Sequence, residues 1–145
     1  MPDALSADDL ALIAAAREII GKRYRPGRHV IGAALRTHSG RIFTDVHLEA
    51  HVGRIAVCAE AIALGRAATE AGDTAIDTIV AVRYAPPGVA SAEAVVVAPC
   101  GMCREMIADY SPEAFVIIPL AGGGLGRKSV RELLPDKYER PAHYA

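Results

Sequence analysis

The sequence predicts an α/β domain in which one mixed sheet carries helices on its faces. Helix-forming segments and short runs of β-branched residues alternate along the chain, in the order helix, hairpin, helix, strand, helix and strand. Strands separated by helical segments favour the packing of helices against a shared sheet. With 145 residues the chain can bury one core but not two, so we expect residues 1–145 to form a single domain.

The composition is that of a globular protein, with 52% hydrophobic and 23% charged residues. A net charge of -1 and an aromatic content of 5% disfavour nucleic-acid binding, which needs basic grooves and stacking rings. The apolar runs are too short or interrupted to span a membrane, and the first residues lack the basic segment of a signal peptide. Three cysteines argue against a disulfide framework and favour metal binding or catalysis. We therefore expect a cytoplasmic enzyme without membrane or nucleic-acid partners.

The first helix is predicted over residues 8–20. Ser6 and Asp9 resemble a helix-capping pair, and apolar residues recur after them at helical spacing. Gly21 is a plausible end for this helix, because glycine commonly follows the last helical turn. Three arginines in the following connector are interpreted as a solvated segment rather than a binding patch.

A hairpin and a second helix are predicted next. Residues 29–36 and 41–46 have the pattern of two strands, joined by a turn at 38–40 that contains glycine. Residues 56–71 are strong helix formers, and Gly72 follows them as a helix end.

The second half of the chain continues the alternation. Further strands are predicted at residues 75–82 and 115–118, and further helices at about 100–110 and 130–134. Residues 94–98 lead the chain to the two-cysteine turn. Residues 85–93 are predicted to form an exposed excursion, and the glycine-rich residues 122–129 a flexible loop.

Three cysteines and one glutamate carry the chemical signal. Two residues separate Cys100 from Cys103, so one turn can hold both thiolates on one metal ion. Cys58 completes a three-thiolate set, and Glu60 places a carboxylate beside it at the start of the second helix. Three protein ligands with an open fourth position are typical of a catalytic zinc site. Alone, Cys58 is best interpreted as a buried apolar residue. For Cys100 and Cys103 alone, a structural metal site or redox pair is about as well supported as catalysis, and together with Cys58 and Glu60 the set favours catalysis.

A three-thiolate site has an excess of negative charge, since three thiolates around a dication leave a net charge of about -1. Two helix N-termini at the ligands can offset part of that charge. Arg104, directly after Cys103, is a second candidate for this role.

Two other motifs are candidates for a functional site: a zincin-like helix and a phosphate-binding loop. His47-Leu-Glu-Ala-His51 resembles a zincin helix, but its glutamate is third rather than second, so the protease spacing is wrong. Assigning the metal to His47 would also leave Cys58 and Glu60 without a role. The glycine-rich segment resembles a phosphate-binding loop, but Arg127 separates the last glycine from Lys128, which the phosphate-binding motif does not allow.

The chain resembles the homotetrameric cytidine deaminase family over most of its length. The matching motifs stand in the family's order: Ile31-Gly-Ala-Ala-Leu35, Ile42-Phe-Thr44, Val57-Cys-Ala-Glu60, Pro99-Cys-Gly-Met-Cys-Arg104 and Arg131-Glu-Leu-Leu-Pro135. It is also similar to the related blasticidin S deaminases, which share the hairpin and both zinc motifs. The resemblance implies a three-layer α/β/α sandwich, here with a mixed five-stranded sheet, and a homotetramer whose subunits complete one another's active sites.

The resemblance also implies the site residues. One zinc ion per subunit would be bound by Cys58, Cys100 and Cys103. Glu60 would carry protons between water and substrate, and the Ala59 backbone would contact the pyrimidine. Substrate would further contact three residues at which the chain carries the family's binding positions: His29, His47 and Glu49.

Two of those positions depart from the family pattern. His29 stands where the family has a base-stacking phenylalanine, and His47 replaces the first asparagine of Asn-x-Glu-Asn, whose glutamate is retained as Glu49. Ala61 stands where three-cysteine members commonly have an arginine. The first hypothesis is deamination of cytidine or deoxycytidine to the uridine product and ammonia. The alternatives are deamination of another aminopyrimidine or amino-heterocycle, such as blasticidin S, and a zinc-binding module without turnover.

Overall fold

A six-stranded mixed sheet forms the centre of the computed structural model, which describes residues 4–85 and 93–142. The strands are β1 Ile31–Thr37, β2 Ile42–Val46, β3 Ile76–Arg83, β4 Val95–Val97, β5 Phe115–Pro119 and β6 Leu125–Ser129. The helices are α1 Ala7–Arg23, α2 Ala59–Arg66, α3 Gly101–Tyr110 and α4 Val130–Leu133. The predicted α/β class is confirmed, but the described sheet has six strands rather than five.

The sheet has the order β2-β1-β3-β5-β6, and β4 pairs with β3 off this path. All the pairings are antiparallel except that of β3 with β5. Strand β3 is therefore the centre of the sheet, and its last residues lie between β1 and β4. In this register Ile31 of β1 lies opposite Arg83 of β3, and Ala81 of β3 lies opposite Val97 of β4.

Helices cover both faces of the sheet. On one face α1 packs over a core that includes Leu12, Ile20, Val80 and Ile117. On the other face α2, α3 and α4 enclose a second core, which includes Leu35, Leu64, Ile79, Cys103, Ile107, Val116 and Val130. Alternate residues of β1, β3 and β5 supply the two cores, as the two-residue period of a strand requires. This gives the three layers that the resemblance implies.

Helix α1 begins as predicted but ends later. The Ser6 hydroxyl accepts from the Asp9 N–H, and the Asp9 carboxylate accepts from the Ser6 N–H, which completes a capping box. The prediction that Gly21 ends the helix is wrong, because α1 continues to Arg23. Gly32 of β1 lets α1 approach closely, since an added Cβ would lie 2.8 Å from the Ala16 carbonyl oxygen.

Helix α2 is shorter at its start than the predicted segment 56–71. It begins at Ala59, with Cys58 as its N-cap residue, and residues Ala67–Ala71 continue it as a π-helical turn. The predicted end is confirmed: Gly72 has a φ of 60°, a conformation that favours glycine.

The glycine-rich segment is only partly a loop. Gly123 and Gly124 have positive φ angles and turn the chain, after which β6 runs antiparallel to β5. The prediction of a flexible loop over residues 122–129 is therefore wrong for its second half. The predicted short helix follows as α4, capped by Ser129 and Glu132. Most of the predicted excursion at 85–93 lies outside the described residues. No helix in the described ranges has the length and apolar character needed to cross a membrane.

Candidate metal and catalytic site

The three cysteines meet where α2 and α3 begin. Their Sγ atoms lie within 4.8 Å of one another, and the Sγ atoms of Cys58 and Cys100 are 3.5 Å apart. Cys58 and Cys100 are the N-cap residues of α2 and α3, and Cys103 lies in the first turn of α3. Within the described ranges, this is the one group of three or more His, Cys, Asp or Glu residues close enough to share a metal ion.

The donor set fits zinc. Tetrahedral zinc with Zn–S distances of about 2.3 Å places its sulfur ligands roughly 3.8 Å apart, a separation comparable to that of the Cys58 and Cys100 Sγ atoms. The free N–H groups and the positive dipole ends of two helices also converge on the cluster, which stabilises thiolates. Cys58, Cys100 and Cys103 are therefore positioned to bind a metal ion.

The thiols of the metal-free chain do not all ionise readily. Burial raises the pKa of Cys58 to about 11, and burial together with the charge of Glu60 raises the pKa of Cys103 further. The pKa of Cys100 is lowered: burial opposes ionisation, but a hydrogen bond from the Cys103 backbone N–H favours it. A bound cation must stabilise the thiolates at Cys58 and Cys103, so metal binding releases protons.

Glu60 lies beside this cluster in the first turn of α2 and is 6% exposed. Burial raises the pKa of its carboxyl group above the ordinary value, and a hydrogen bond with the Cys103 side chain opposes that shift. A buried carboxyl group that can hold or release a proton next to a metal site is suited to general acid–base chemistry.

A cavity of about 240 Å³ opens onto the cysteines and Glu60. It lies between the start of β1, the start of α2 and the end of β4. Its lining residues are Ile31, His47, Ala56, Val57, Cys58, Ala59, Glu60, Val97, Ala98 and Cys100. The walls are mostly apolar and include a few polar side chains, among them His47 and Glu60, an arrangement typical of small-molecule sites.

His47 reaches the cavity with a fixed protonation pattern. Its Nδ1 accepts hydrogen bonds from the backbone N–H groups of Val30 and Ile31, at 2.9 and 3.0 Å. A neutral ring that accepts at Nδ1 carries its hydrogen on Nε2, and this atom lies 3.7 Å from Glu49 Oε2. Burial lowers the pKa of His47, an effect that the Glu49 carboxylate partly opposes.

His29 and Glu49 contact His47 and are not among the residues that line the cavity. The His29 Nδ1 atom donates to the His47 carbonyl oxygen at 2.9 Å, and Glu49 reaches the wall through its contact with the His47 ring. The structure thus brings His29, His47 and Glu49 together. Of the three, His47 lines the cavity, as does Ala59.

Arg104 has a different environment from the one expected of a counter-ion. Its Nε donates to the Pro99 carbonyl oxygen at 2.9 Å, and its Nη1 donates to the Leu133 carbonyl oxygen at 3.0 Å. The guanidinium therefore ties the two-cysteine turn to the end of α4. The helix N-termini are closer to the thiols, since Cys58 and Cys100 are themselves the N-cap residues of α2 and α3.

The sequence alone did not indicate the apolar walls Ile31 and Val97, or the position of Arg83 opposite Ile31. The signal for these residues is the pairing register, which brings β1, β3 and β4 together beside the cavity. A larger cavity, of about 580 Å³, lies between α3 and the C-terminal segment. There Lys137 is held between Glu105 and Asp109, at 3.1 and 2.7 Å, and the cavity contains none of the cysteines.

Comparison with known proteins identifies the family. Residues 6–118 match the family model for the cytidine and deoxycytidylate deaminase zinc-binding region. The chain belongs to this deaminase family. It is therefore a member of a family of zinc-dependent hydrolytic deaminases that act on small pyrimidine-like molecules, with zinc as the cofactor.

Individual relatives agree with this assignment. The chain is 46% identical over 136 residues to blasticidin-S deaminase of Bacillus cereus, a match that covers 94% of this chain and 96% of that protein. Among solved structures it is similar to cytidine deaminase from Burkholderia pseudomallei, with 28% identity, a TM-score of 0.69, and coverage of 92% of this chain and 100% of that one. Cytidine deaminase from Bacillus anthracis shares the fold, with a TM-score of 0.74 at 24% identity, and coverage of 89% and 88%.

Proposed function

We propose that this enzyme hydrolytically deaminates the aminopyrimidine ring of a nucleoside, with blasticidin S as the preferred substrate and cytidine or deoxycytidine as the second candidate. The observation that carries the proposal is the position of Glu60, which is buried next to three clustered cysteines at the end of a cavity of about 240 Å³. A purely structural metal site has no use for a carboxylate in that position.

In this proposal the three cysteines bind the metal and Glu60 transfers protons. Cys58, Cys100 and Cys103 hold zinc, which when bound supplies a Lewis acid that lowers the pKa of water to about 7. Glu60 takes a proton from the attacking water and delivers it to the ring nitrogen. The same carboxylate then takes the remaining proton of the hydroxyl group added to the ring carbon and passes it to the departing amine, so that the carbon–nitrogen bond breaks as the carbonyl forms. Water and the amine are thereby converted into a ring carbonyl and ammonia.

Substrate orientation is assigned to the residues around the cavity. The Ala59 N–H belongs to the first turn of α2, where backbone donors have no partner within the helix, and it is proposed to bind the pyrimidine. The His47 Nε2–H is a donor and the Glu49 carboxylate an acceptor, so the pair suits hydroxyl groups on the sugar. His29 is proposed to act on the substrate by holding the His47 segment in place.

The preference for blasticidin S rests on the similarity to blasticidin-S deaminase of Bacillus cereus. Its 46% identity extends over nearly the full length of both proteins. Of the two histidines that depart from the cytidine deaminase pattern, His47 lines the cavity and His29 contacts the His47 carbonyl oxygen. The chemistry at zinc is common to both substrates, so the choice between them depends on this part of the cavity.

We also propose that the enzyme is a cytoplasmic homotetramer. Leu48, Val52, Ile55 and Val57 lie on the segment that leads to the cavity, and they are 47%, 52%, 62% and 37% exposed. Such a group of exposed apolar side chains favours a protein interface. A second copy of the chain packed here would close the cavity mouth, in agreement with the family resemblance. Light scattering after size-exclusion chromatography measures the assembly, and a monomer at micromolar concentration would contradict the proposal.

The function is tested by a screen for ammonia release by the zinc-loaded enzyme. The substrates are blasticidin S, cytidine, deoxycytidine and free cytosine, compared by kcat/KM. We expect the highest value for blasticidin S and measurable turnover of cytidine. A higher value for cytidine reverses the order of the two candidates, and ammonia release from none of the four contradicts the proposed function.

A further inference from the structure

Arg83 ends the strand next to the cavity-lining Ile31, a position called the rim of the cavity here. It is the last residue of β3, is exposed, and pairs in register with Ile31, which lines the cavity. Residues directly opposite each other on neighbouring strands project from the same face of a sheet. The Arg83 side chain therefore leaves the sheet on the cavity side. Its neighbour across β4 is Val95, two residues before the cavity-lining Val97.

The guanidinium of Arg83 has no ion-pair partner within the described part of the protein. No carboxylate of residues 4–85 or 93–142 forms an ion pair with its guanidinium. Glu49, an acidic side chain close to the cavity, contacts His47 instead. Other arginines in the sheet are paired: Arg36 with Asp9 and Asp77, at 3.1 and 2.6 Å.

The field of Arg83 extends into the site. Burial is the main cause of the low pKa of His47, and the nearby charges of His29 and Arg83 act in the same direction. Because the cavity walls are mostly apolar, a charge at the rim is screened less on the cavity side than on the solvent side. A guanidinium in this position presents a planar set of donors that matches an oxyanion.

We propose that Arg83 forms an oxyanion subsite that binds a carboxylate or phosphate on the sugar of the substrate. This inference rests on the proposed function, since it assumes that the aminopyrimidine ring enters towards Glu60 and the cysteines. The sugar then lies nearer the mouth, and a substituent on it reaches the rim. Arg83 is thus a specificity-determining residue: it selects among nucleosides that share one reactive ring.

The test compares three substrates that differ only at the 5′ position: cytidine, cytidine 5′-carboxylic acid and cytidine 5′-phosphate. The kcat/KM for ammonia release is measured with the full-length zinc-loaded enzyme, its Arg83→Gln variant and an Arg23→Gln control. Arg23 is an exposed arginine in the last turn of α1, on the opposite face of the sheet. The measured quantity is the ratio of kcat/KM for each anionic substrate to that for cytidine.

We expect Arg83→Gln to lower this ratio about tenfold for the preferred anion, as for the loss of one charge-assisted hydrogen bond. Arg23→Gln should leave it unchanged, and the wild-type preference shows whether the anion is a carboxylate or a phosphate. An unchanged ratio in Arg83→Gln, with cytidine still deaminated, overturns the subsite and leaves the proposed function intact. If none of the three releases ammonia, blasticidin S is assayed with the same enzyme, and the proposed function fails only if it releases none either. The subsite is then decided by calorimetry: a Kd ratio of cytidine 5′-phosphate to cytidine that Arg83→Gln does not change overturns it.

Discussion

Replacing Asp45 by asparagine should stabilise the protein more at pH 7.5 than at pH 5, relative to the wild type. Asp45 lies on β2 and is 8% exposed. Its Oδ1 is 3.5 Å from Arg66 Nη1, while its buried Oδ2 has no hydrogen-bond partner among the described residues. Burial raises the pKa of Asp45 from 3.8 to about 6, although the charge of Arg66 opposes the shift.

The magnitude follows from the difference between the two pKa values. Between about pH 4 and 6 the folded chain binds a proton at Asp45 that the unfolded chain has released, so the free energy of unfolding falls as the pH rises. A shift of about two units corresponds to roughly 3 kcal/mol, fully present above about pH 6 and about half present at pH 5. Asp45→Asn removes this term. Its stabilising effect should therefore be roughly 1–2 kcal/mol larger at pH 7.5 than at pH 5.

Urea denaturation of the zinc-loaded proteins at the two pH values measures this difference. Any pH dependence of zinc binding cancels, because it is common to variant and wild type. Glu70→Gln is the matched control: Glu70 also binds Arg66, with Nε–Oε1 at 2.9 Å, but it is exposed and its pKa is lowered by that hydrogen bond. If the free energy of unfolding differs between Asp45→Asn and wild type by the same amount at pH 5 and at pH 7.5, Asp45 is not an uncompensated buried carboxylate.

The remaining predictions concern the site. Cys58→Ala should lose bound zinc while His47→Ala retains it, as measured by metal analysis; the reverse result would move the metal to His47. His47→Ala leaves the N–H groups of Val30 and Ile31 without their acceptor, so it should lower the free energy of unfolding by about 2 kcal/mol and raise KM. Arg104→Ala removes two hydrogen bonds that brace the two-cysteine turn and should lower zinc occupancy under competition with a chelator. Unchanged zinc occupancy and pH optimum in this variant would exclude a role for Arg104 at the metal.

Local sequence patterns predicted much of the fold, and the predictions that were wrong failed for physical reasons. The Ser6 and Asp9 capping box and the turn at Gly72 involve neighbouring residues, so the sequence alone indicates them. Gly21 does not end α1, because glycine can remain in a helix whose other residues pack well. No close contact requires a glycine there, since an added Cβ would have no atom within 4 Å. Strand β6 carries few β-branched residues, and its extended form comes from its pairing with β5.

The same distinction applies to the site. The spacing from Cys100 to Cys103 and the short step from Cys58 to Glu60 are local, and the predicted convergence of the three cysteines is confirmed. The position of Arg83 is not local, because it depends on the register of β3 with β1 and β4. The tautomer of His47 likewise depends on two backbone donors 16 and 17 residues earlier in the chain.

The central claim is that Glu60 moves protons beside a zinc ion held by three cysteines. The most direct measurement pairs metal analysis with ammonia release for Glu60→Gln, which keeps the size of the side chain but removes its acid–base function. We expect zinc content equal to wild type and a loss of turnover of at least about a hundredfold with the best substrate. Turnover near the wild-type rate in a zinc-loaded Glu60→Gln protein would contradict it.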